Sequence, residues 1–320
     1  MIKYILMRVL RSLVTLFIII TIVFSLLRLM PIEGYFSNFD KLRPAQINTK
    51  LEVLGINKPL PVQLVGFYKQ LLQGDLGTSN KYRVNVPIRD IIGPKLSLSL
   101  RMGLMAVFVS LAAGLPLGIL MAHSAKSKYR IFDKFGIVFI VLIEAVPAAV
   151  YYLFIQLYGT GVLREMIDLP TLFKEDNFAT WILPVFSLSL FGIAGNAMWL
   201  RRFMVDESNK DYVLLARAKG VPPAKISRSH IFRNAIVPLV QYIPGSILFT
   251  LMGSLYVESL YSIPGMGGLL VDVIKRQDNT MVQALVLIFT ALSIGGLLLG
   301  DILMALVDPR ITLGARKEMR

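Results

Sequence analysis

Six apolar runs divide this chain, at residues 12–27, 98–122, 131–158, 181–200, 236–261 and 281–307. A hydrocarbon core about 30 Å thick is crossed by about twenty residues of helix. In lipid the backbone must satisfy its own hydrogen bonds, so an apolar run of this length is read as a helix. The expected fold is therefore an all-α membrane protein with six transmembrane helices. Between the first two runs lies the one long polar segment, 31–97, expected to form an extracytoplasmic subdomain. Its turn signals, its amphipathic stretch 62–72 and its apolar Leu64, Phe67, Leu71 and Leu72 argue for a small packed unit over an unstructured linker. The resulting divisions are a first transmembrane segment 1–30, the subdomain 31–97, a five-helix core 98–307 and a tail 308–320.

Apolar residues make up 55% of the chain and charged ones 17%, yet the formal net charge is +14. So large an excess could signal nucleic acid, but the cations lie between apolar runs and form no single stripe. Membrane topology accounts for them. Lys126, Lys128 and Arg130 follow the second run, Arg201 and Arg202 follow the fourth, and Arg310, Arg316, Lys317 and Arg320 close the chain. By the positive-inside rule these ends face the cytoplasm, as do both termini. A cleaved leader would share the plan of Lys3, Arg8 and Arg11 followed by an apolar run. The run is long for one, and no small-residue cleavage site follows it, so a retained first span is expected. The chain has no cysteine and two histidines, His123 and His230. That excludes disulfides and thiolate sites and leaves no metal site to argue for.

The stretch 211–238, DYVLLARAKGVPPAKISRSHIFRNAIVP, sits between the fourth and fifth runs and is rich in cations. Tyr212, Leu215, Ala216 and Lys219 fall at helical spacing, which predicts one face of a short helix. Gly220 stops that helix, and Pro222-Pro223 can only begin another. A helix–glycine–helix elbow beside a membrane is suited to meeting something in the cytoplasm. Further along, Glu258 is followed by SLYSIPGMGG, whose Pro264, Gly265 and Gly267 predict a tight turn. Asp301 and Asp308 stand seven residues apart and share a helix face. Glu144 is an acid in the middle of the third run, just before Pro147. A carboxylate at mid-bilayer costs about 3 kcal/mol and is expected to hydrogen-bond a neighbouring helix or to line a wet cavity. Gly114, Gly118, Gly192, Gly195 and Gly245, with Pro116 and Pro244, mark close helix packing in a bundle.

The elbow resembles the cytoplasmic coupling loop of binding-protein-dependent ABC importer permeases, in their dipeptide, oligopeptide and nickel branch. The resemblance rests on Asp211-Tyr212, on Ala216-Arg217-Ala218-Lys219-Gly220, on His230 with Arg233-Asn234-Ala235, and on Pro238. The wider family's Glu-Ala-Ala ahead of the glycine is Leu214-Leu215-Ala216 here. LGINKPLPVQ, QGDLGTS, the acid–aromatic–Pro-Gly text at 258–268 and Asp308-Pro309-Arg310 extend the resemblance over nearly the whole chain. It implies that Asp211, Tyr212, Leu215, Ala216, Arg217, Lys219, Gly220, Pro222, His230, Arg233 and Asn234 form the contact with an ATPase, in a coupling loop spanning 201–235. It also implies that Pro147, Glu258, Pro264, Gly265, Gly267 and Asp301 lie on the translocation path or its gate. Glu144 departs from the small or hydroxylated residues usual just before Pro147, and only its mid-span charge places it on the path.

No phosphate-binding GxxxxGK[ST], no HExxH and no GxSxG occurs, so no cofactor or catalytic residue is expected on this chain. ATP and Mg would be bound by partners. Family logic implies a second homologous permease, two cytoplasmic ABC ATPases and an extracytoplasmic substrate-binding protein, assembled in the inner membrane of a bacterium or archaeon, with membrane lipid and no nucleic acid as partners. The expected function is uptake of di- or oligopeptides, with nickel or another small solute as the alternative. An ion-coupled secondary transporter would show internal repeats and several mid-span charges. An intramembrane enzyme would show a nucleophile–base pair or a metal cluster, and neither pattern is found.

Overall fold

The structure, a computed structural model, describes residues 2–167 and 173–307. Asp168, Asp308, Pro309, Arg310 and the rest of the tail lie outside the described residues. Among the described residues the backbone is helical apart from turns, 3-10 turns and one isolated bridge between Thr78 and Pro87. The chain divides into two compact units. A core unit takes in 99–263 and the chain from 296, and a flanking unit takes in 7–98 and 264–295.

In the flanking unit, α1 (Ile2–Leu27) is a continuous helix that runs through the cations expected to precede the first span. Helices α2 (Pro44–Val53) and α3 (Leu60–Leu72) both begin at proline-containing first turns. The amphipathic stretch read at 62–72 is α3. Its aromatic residues meet α1: Phe67 stacks on Phe24, and Tyr68 stacks on Phe17 and hydrogen-bonds Thr21 at 2.8 Å. Tyr35, Phe36 and Leu51 form a small buried cluster of their own. The larger core of this unit brings Leu27 together with Ile88, Ile91 and Ile92. It also holds Met266, Leu269 and Val273 of α13 (Met266–Lys275) and Met281 and Leu285 of α14 (Asn279–Val307).

One carboxylate ties this unit's loop down. Asp278 Oδ2 accepts the Ser79 hydroxyl at 2.7 Å and the backbone N–H groups of Asn80, Lys81 and Tyr82 at 2.9–3.0 Å. Its other oxygen accepts the Met281 N–H at 3.2 Å and so caps α14. Asp278 is fully buried. A buried carboxylate persists when its lone pairs are filled by donors, as they are here.

In the core unit, α4 (Ile88–Ser124) packs against α8 (Ala179–Glu207) through glycines. A methyl group at Gly114 or Gly118 would stand 2.8 Å from the carbonyl oxygen of Ile193 or Ala197, respectively. The backbones therefore meet without side chains between them, as small residues four apart allow. A methyl at Gly192 would likewise meet Ser110, whereas Gly195 and Gly245 face open space. Helix α8 continues through Pro184, and α12 (Val237–Leu260) through Pro244.

The third apolar run is not one straight helix. Helix α5 (Ile131–Ala145) ends at extended Val146, and α6 (Ala148–Phe154) restarts at Pro147 with a bend of 106°. Proline removes a donor and forces its predecessor out of the helical region, so the run breaks at Val146-Pro147. A π-turn at Ile155–Gly159 then leads into α7 (Thr160–Ile167). Among the described residues four helices are long and apolar enough to cross a membrane, or up to five if the bent pair is one span.

Candidate functional site

The elbow begins at α9 (Asp211–Ala218). Gly220 follows it with φ +73°, the left-handed conformation that a residue without Cβ adopts freely. The N–H of Val221 returns to the carbonyl of Ala216 at 3.1 Å, and that of Gly220 to Arg217 at 2.9 Å. This six-to-one and five-to-two pair is a Schellman cap, with Val221 and Ala216 in one apolar cluster. Pro222 precedes α10 (Pro223–Lys225), which runs on through a π-helical turn, Ile226–Phe232, and α11 (Arg233–Ala235) into α12. The proline-started second helix is as read from the sequence.

One side of α9 is buried and the other exposed. Val213 and Ala216 are buried, packed with Leu200, Met204, Ile226, Ile231 and Ala235. Leu214 and Leu215 are 52% and 56% exposed. In an eight-residue helix this rich in apolar residues several stripes compete, and the β-branched Val213 with small Ala216 fits the narrow gap. Leu215 and Lys219 stand outward with Arg217, while Ala216, grouped with them by helical spacing, is buried.

Tyr212 joins the two ends of the elbow. Its hydroxyl donates to Glu207, accepts the amide of Asn234 at 3.0 Å, and lies 3.3 Å from the carbonyl oxygen of His230. The same Asn234 amide also donates to the His230 carbonyl at 3.0 Å. The Asp211-Tyr212 text and the Arg233-Asn234 text, far apart in sequence, thus meet through side chains. The His230 contribution is its backbone oxygen. Burial first, and the bond to Glu207 next, raise the Tyr212 phenol above the ordinary tyrosine value. Arg233 and Asp211 remain exposed.

Beside the elbow opens a cavity of about 450 Å³, lined by His123, Lys126, Arg217, Met204 and Ile226 among others. His123 Nε2 is 2.7 Å from the Ser227 hydroxyl. Burial, and then the nearby Arg217, lower the Lys126 ammonium below its usual value. Three basic side chains over an apolar floor would receive an acidic side chain.

The sequence reading missed one charged group near this surface. Asp133, fully buried at the start of α5, is bridged by Arg201 of α8 and by Arg130, whose Nη2 lies 2.6 Å away. Arg130 and Arg201 looked like loop cations of the positive-inside pattern. The signal that could have paired them is an acid in the first turn of an apolar run directly after an arginine.

Glu144 is exposed one residue before the end of α5 and has no hydrogen-bond partner among the described residues, so the expected bond to a neighbouring helix is not made within this chain. Glu258 is buried and accepts the Ser99 hydroxyl at 2.8 Å. Asp301 accepts the Gln241 amide at 3.2 Å. In the turn after α12 the left-handed residue is Ser262, with φ +56°, and not a glycine. Pro264 and Gly265 lead directly into α13, where Gly267 is buried in the first turn.

The fold and these motifs define a membrane component of a transport system, and comparison bears this out. The profile of the family "Binding-protein-dependent transport system inner membrane component" matches residues 114–313, and that of its N-terminal partner region matches 1–87. The chain belongs to this family. It is 33% identical to the dipeptide transport system permease protein DppB of Lactococcus lactis, over 98% of this chain and 100% of that one. It is 30% identical to the oligopeptide transport system permease protein OppB of Haemophilus influenzae, over 97% and 99%. With the oligopeptide permease AmiC of Streptococcus pneumoniae it shares 37% identity over 66% of this chain, a match spanning 41% of AmiC. Among solved structures, the inward-facing MetNI methionine ABC transporter superposes with a TM-score of 0.55 at 15% identity, over 68% of this chain and 96% of the other. That likeness shows the fold.

Proposed function

We propose that this chain is the permease subunit of an ATP-driven importer of di- or oligopeptides, with six spans and both termini in the cytoplasm. The relatives named above are peptide permeases, which favours peptides over nickel or another solute. The elbow is the observation that carries the mechanism. It is locked inside by the Schellman cap and the Tyr212–Asn234 contact, while Leu214 and Leu215 face outward beside Arg217 and Lys219. An exposed apolar pair edged with cations is suited to a groove on another protein. The groove belongs to a cytoplasmic ABC ATPase, which supplies the ATP and Mg chemistry that this chain lacks. Closure of two such ATPases would draw two elbows together, one from this chain and one from a homologous second permease. The membrane halves would then open toward an extracytoplasmic binding protein.

In this reading Asp211, Tyr212, Leu215, Ala216, Arg217, Lys219, Gly220, Pro222, His230, Arg233 and Asn234 build or present the contact. Glu144 and Pro147 stand at the break in the third span and face the path. Glu258, Pro264, Gly265, Gly267 and Asp301 shape the ends of the fifth and sixth spans. The test uses the chain's lack of cysteine. A Leu215→Cys subunit should crosslink to the ATPase in the assembled complex, and a cysteine at Asp75 should react with an impermeant reagent only from outside. Failure of Leu215→Cys to crosslink in a complex that still takes up labelled dipeptide would falsify the docking assignment.

A further inference from the structure

Where α1 ends, the flanking unit holds a cavity that the transport cycle described above does not use. It measures about 550 Å³, within the range of about 300–1,000 Å³ typical of ligand sites. Arg28 closes one side, Lys58 and Lys69 stand on the others, and Gln63, Val62 and Val65 line it between them. No carboxylate lines it, and Arg28, Lys58 and Lys69 form no ion pair among the described residues. The Arg28 guanidinium lies 4.7 Å from the Phe24 ring centre and 5.2 Å from that of Tyr35, which hold it in place. Its Nε is buried and has no hydrogen-bond acceptor. The Gln63 amide nitrogen is used, donating to the carbonyls of Ile56 and Lys58 at 2.8 and 2.7 Å. Its buried oxygen Oε1 has no donor. Both of these atoms are closed off from the cavity, so what the cavity itself lacks is a counter-charge for its three cations.

Position decides the source of that ligand. Helix α1 is apolar and long enough to cross a membrane, and Arg28 directly follows it, at the level of the headgroups. Tyr68 of α3 reaches Phe17, about three helical turns below Arg28. Helix α3 thus lies against the lipid-level part of α1, with Val62, Val65 and Leu72 exposed along it.

We propose that this cavity binds the headgroup of an anionic phospholipid such as phosphatidylglycerol. The phosphate pairs with Arg28, Lys58 and Lys69, and the acyl chains lie on the apolar edge of α3. The inference rests on α1 crossing the membrane and is independent of the ATPase contact.

The test is native mass spectrometry of the full chain, purified with any subunits that accompany it. It is titrated separately with phosphatidylglycerol, phosphatidylcholine, phosphatidic acid and soluble glycerol phosphate. Phosphatidylglycerol should bind at least about fivefold more tightly than phosphatidylcholine, and Lys58→Gln/Lys69→Gln should weaken it about fivefold or more, as loss of interfacial cations predicts. Both lysines are exposed, so this variant leaves the core intact, and Arg28→Gln should weaken binding further. Equal retention of phosphatidylglycerol and phosphatidylcholine, or an unaffected lysine variant, overturns the site while leaving the span standing. Loss of all lipid binding would instead remove the premise that α1 is a span. Glycerol phosphate binding as tightly as the lipid would make the ligand a soluble anion and overturn the lipid assignment. Phosphatidic acid should bind at least as tightly as phosphatidylglycerol, and its failure to bind would overturn recognition through the phosphate.

Discussion

Asp133 and Asp278 are both fully buried carboxylates, but they are held in opposite ways. Asp133 is met by the side chains of Arg130 and Arg201, one of them on another helix. Asp278 is met by three successive backbone N–H groups and one hydroxyl from the loop 79–82. Side chains can let go and re-pair when helices shift, so the first arrangement suits a part that changes shape. Backbone donors separate only if the loop itself unfolds, so the second suits a part that keeps its shape. The family's transport role asks for both kinds of part in one chain.

The largest effect should come from removing the fixed anchor. Asp278→Ala orphans several buried donors and the cap of α14, at a cost of about 4 kcal/mol or more. Thermal unfolding in detergent and protease cleavage near residue 80 should both show it, and no substitution at 79–82 should rescue it. Asp133→Leu should cost about 3 kcal/mol, because it leaves two arginines facing each other. Here rescue is expected: Asp133→Leu/Arg201→Leu should recover most of the loss, as replacing a whole buried pair by apolar residues often does. If the double variant is no more stable than the single one, the contrast between the two carboxylates fails.

Gly220→Val places a β-branched residue in the left-handed region at a cost of about 1–2 kcal/mol. Membrane insertion should survive while uptake and substrate-stimulated ATP hydrolysis of the complex are lost. The smallest effect is expected at Tyr212→Phe, which removes hydrogen bonds worth about 1 kcal/mol. Its pH signature is sharper than its size. The folded protein holds the phenolic proton above the ordinary value of 10.0, so the unfolded chain releases it first as pH rises. Stability from this group is therefore intact below about pH 10 and declines above it. Melting curves at pH 9 and 11 should show a smaller alkaline loss in Tyr212→Phe than in the natural chain.

Much of this was legible in the sequence, for reasons that differ by element. The Gly220 elbow was readable because few residues other than glycine suit a positive φ, and Pro222-Pro223 because proline can stand only where a helix begins. Helix α3 was readable from its alternation of faces. The break at Val146-Pro147 was hidden, since residues on both sides stay apolar and hydropathy does not register direction. Arg130 and Arg201 read as loop cations and Asp133 stands out in no pattern, because a long-range ion pair leaves no local signal. Asp278 sits in Arg276-Gln277-Asp278-Asn279, which reads as an ordinary turn, and its partners lie some two hundred residues earlier. Which side of α9 is buried is not legible, because an eight-residue helix is too short for its stripe to be unique.

The break in the third apolar run has a consequence for the bilayer around it. At about 1.5 Å per residue, the fifteen residues of α5 cover only about 22 Å, short of the hydrocarbon thickness. Under the proposed six-span topology, the helix stops inside the oily layer. Its last carbonyls have no next turn to bond, and lipid tails offer them nothing. Such groups persist only where water or another polypeptide reaches them. On that topology the surroundings of Glu144 are hydrated or covered by a second subunit, and hydrogen–deuterium exchange of the amides of Val146, Ala148, Ala149 and Val150 separates the two. Fast exchange in the assembled complex marks water at mid-depth, and protection marks a protein neighbour.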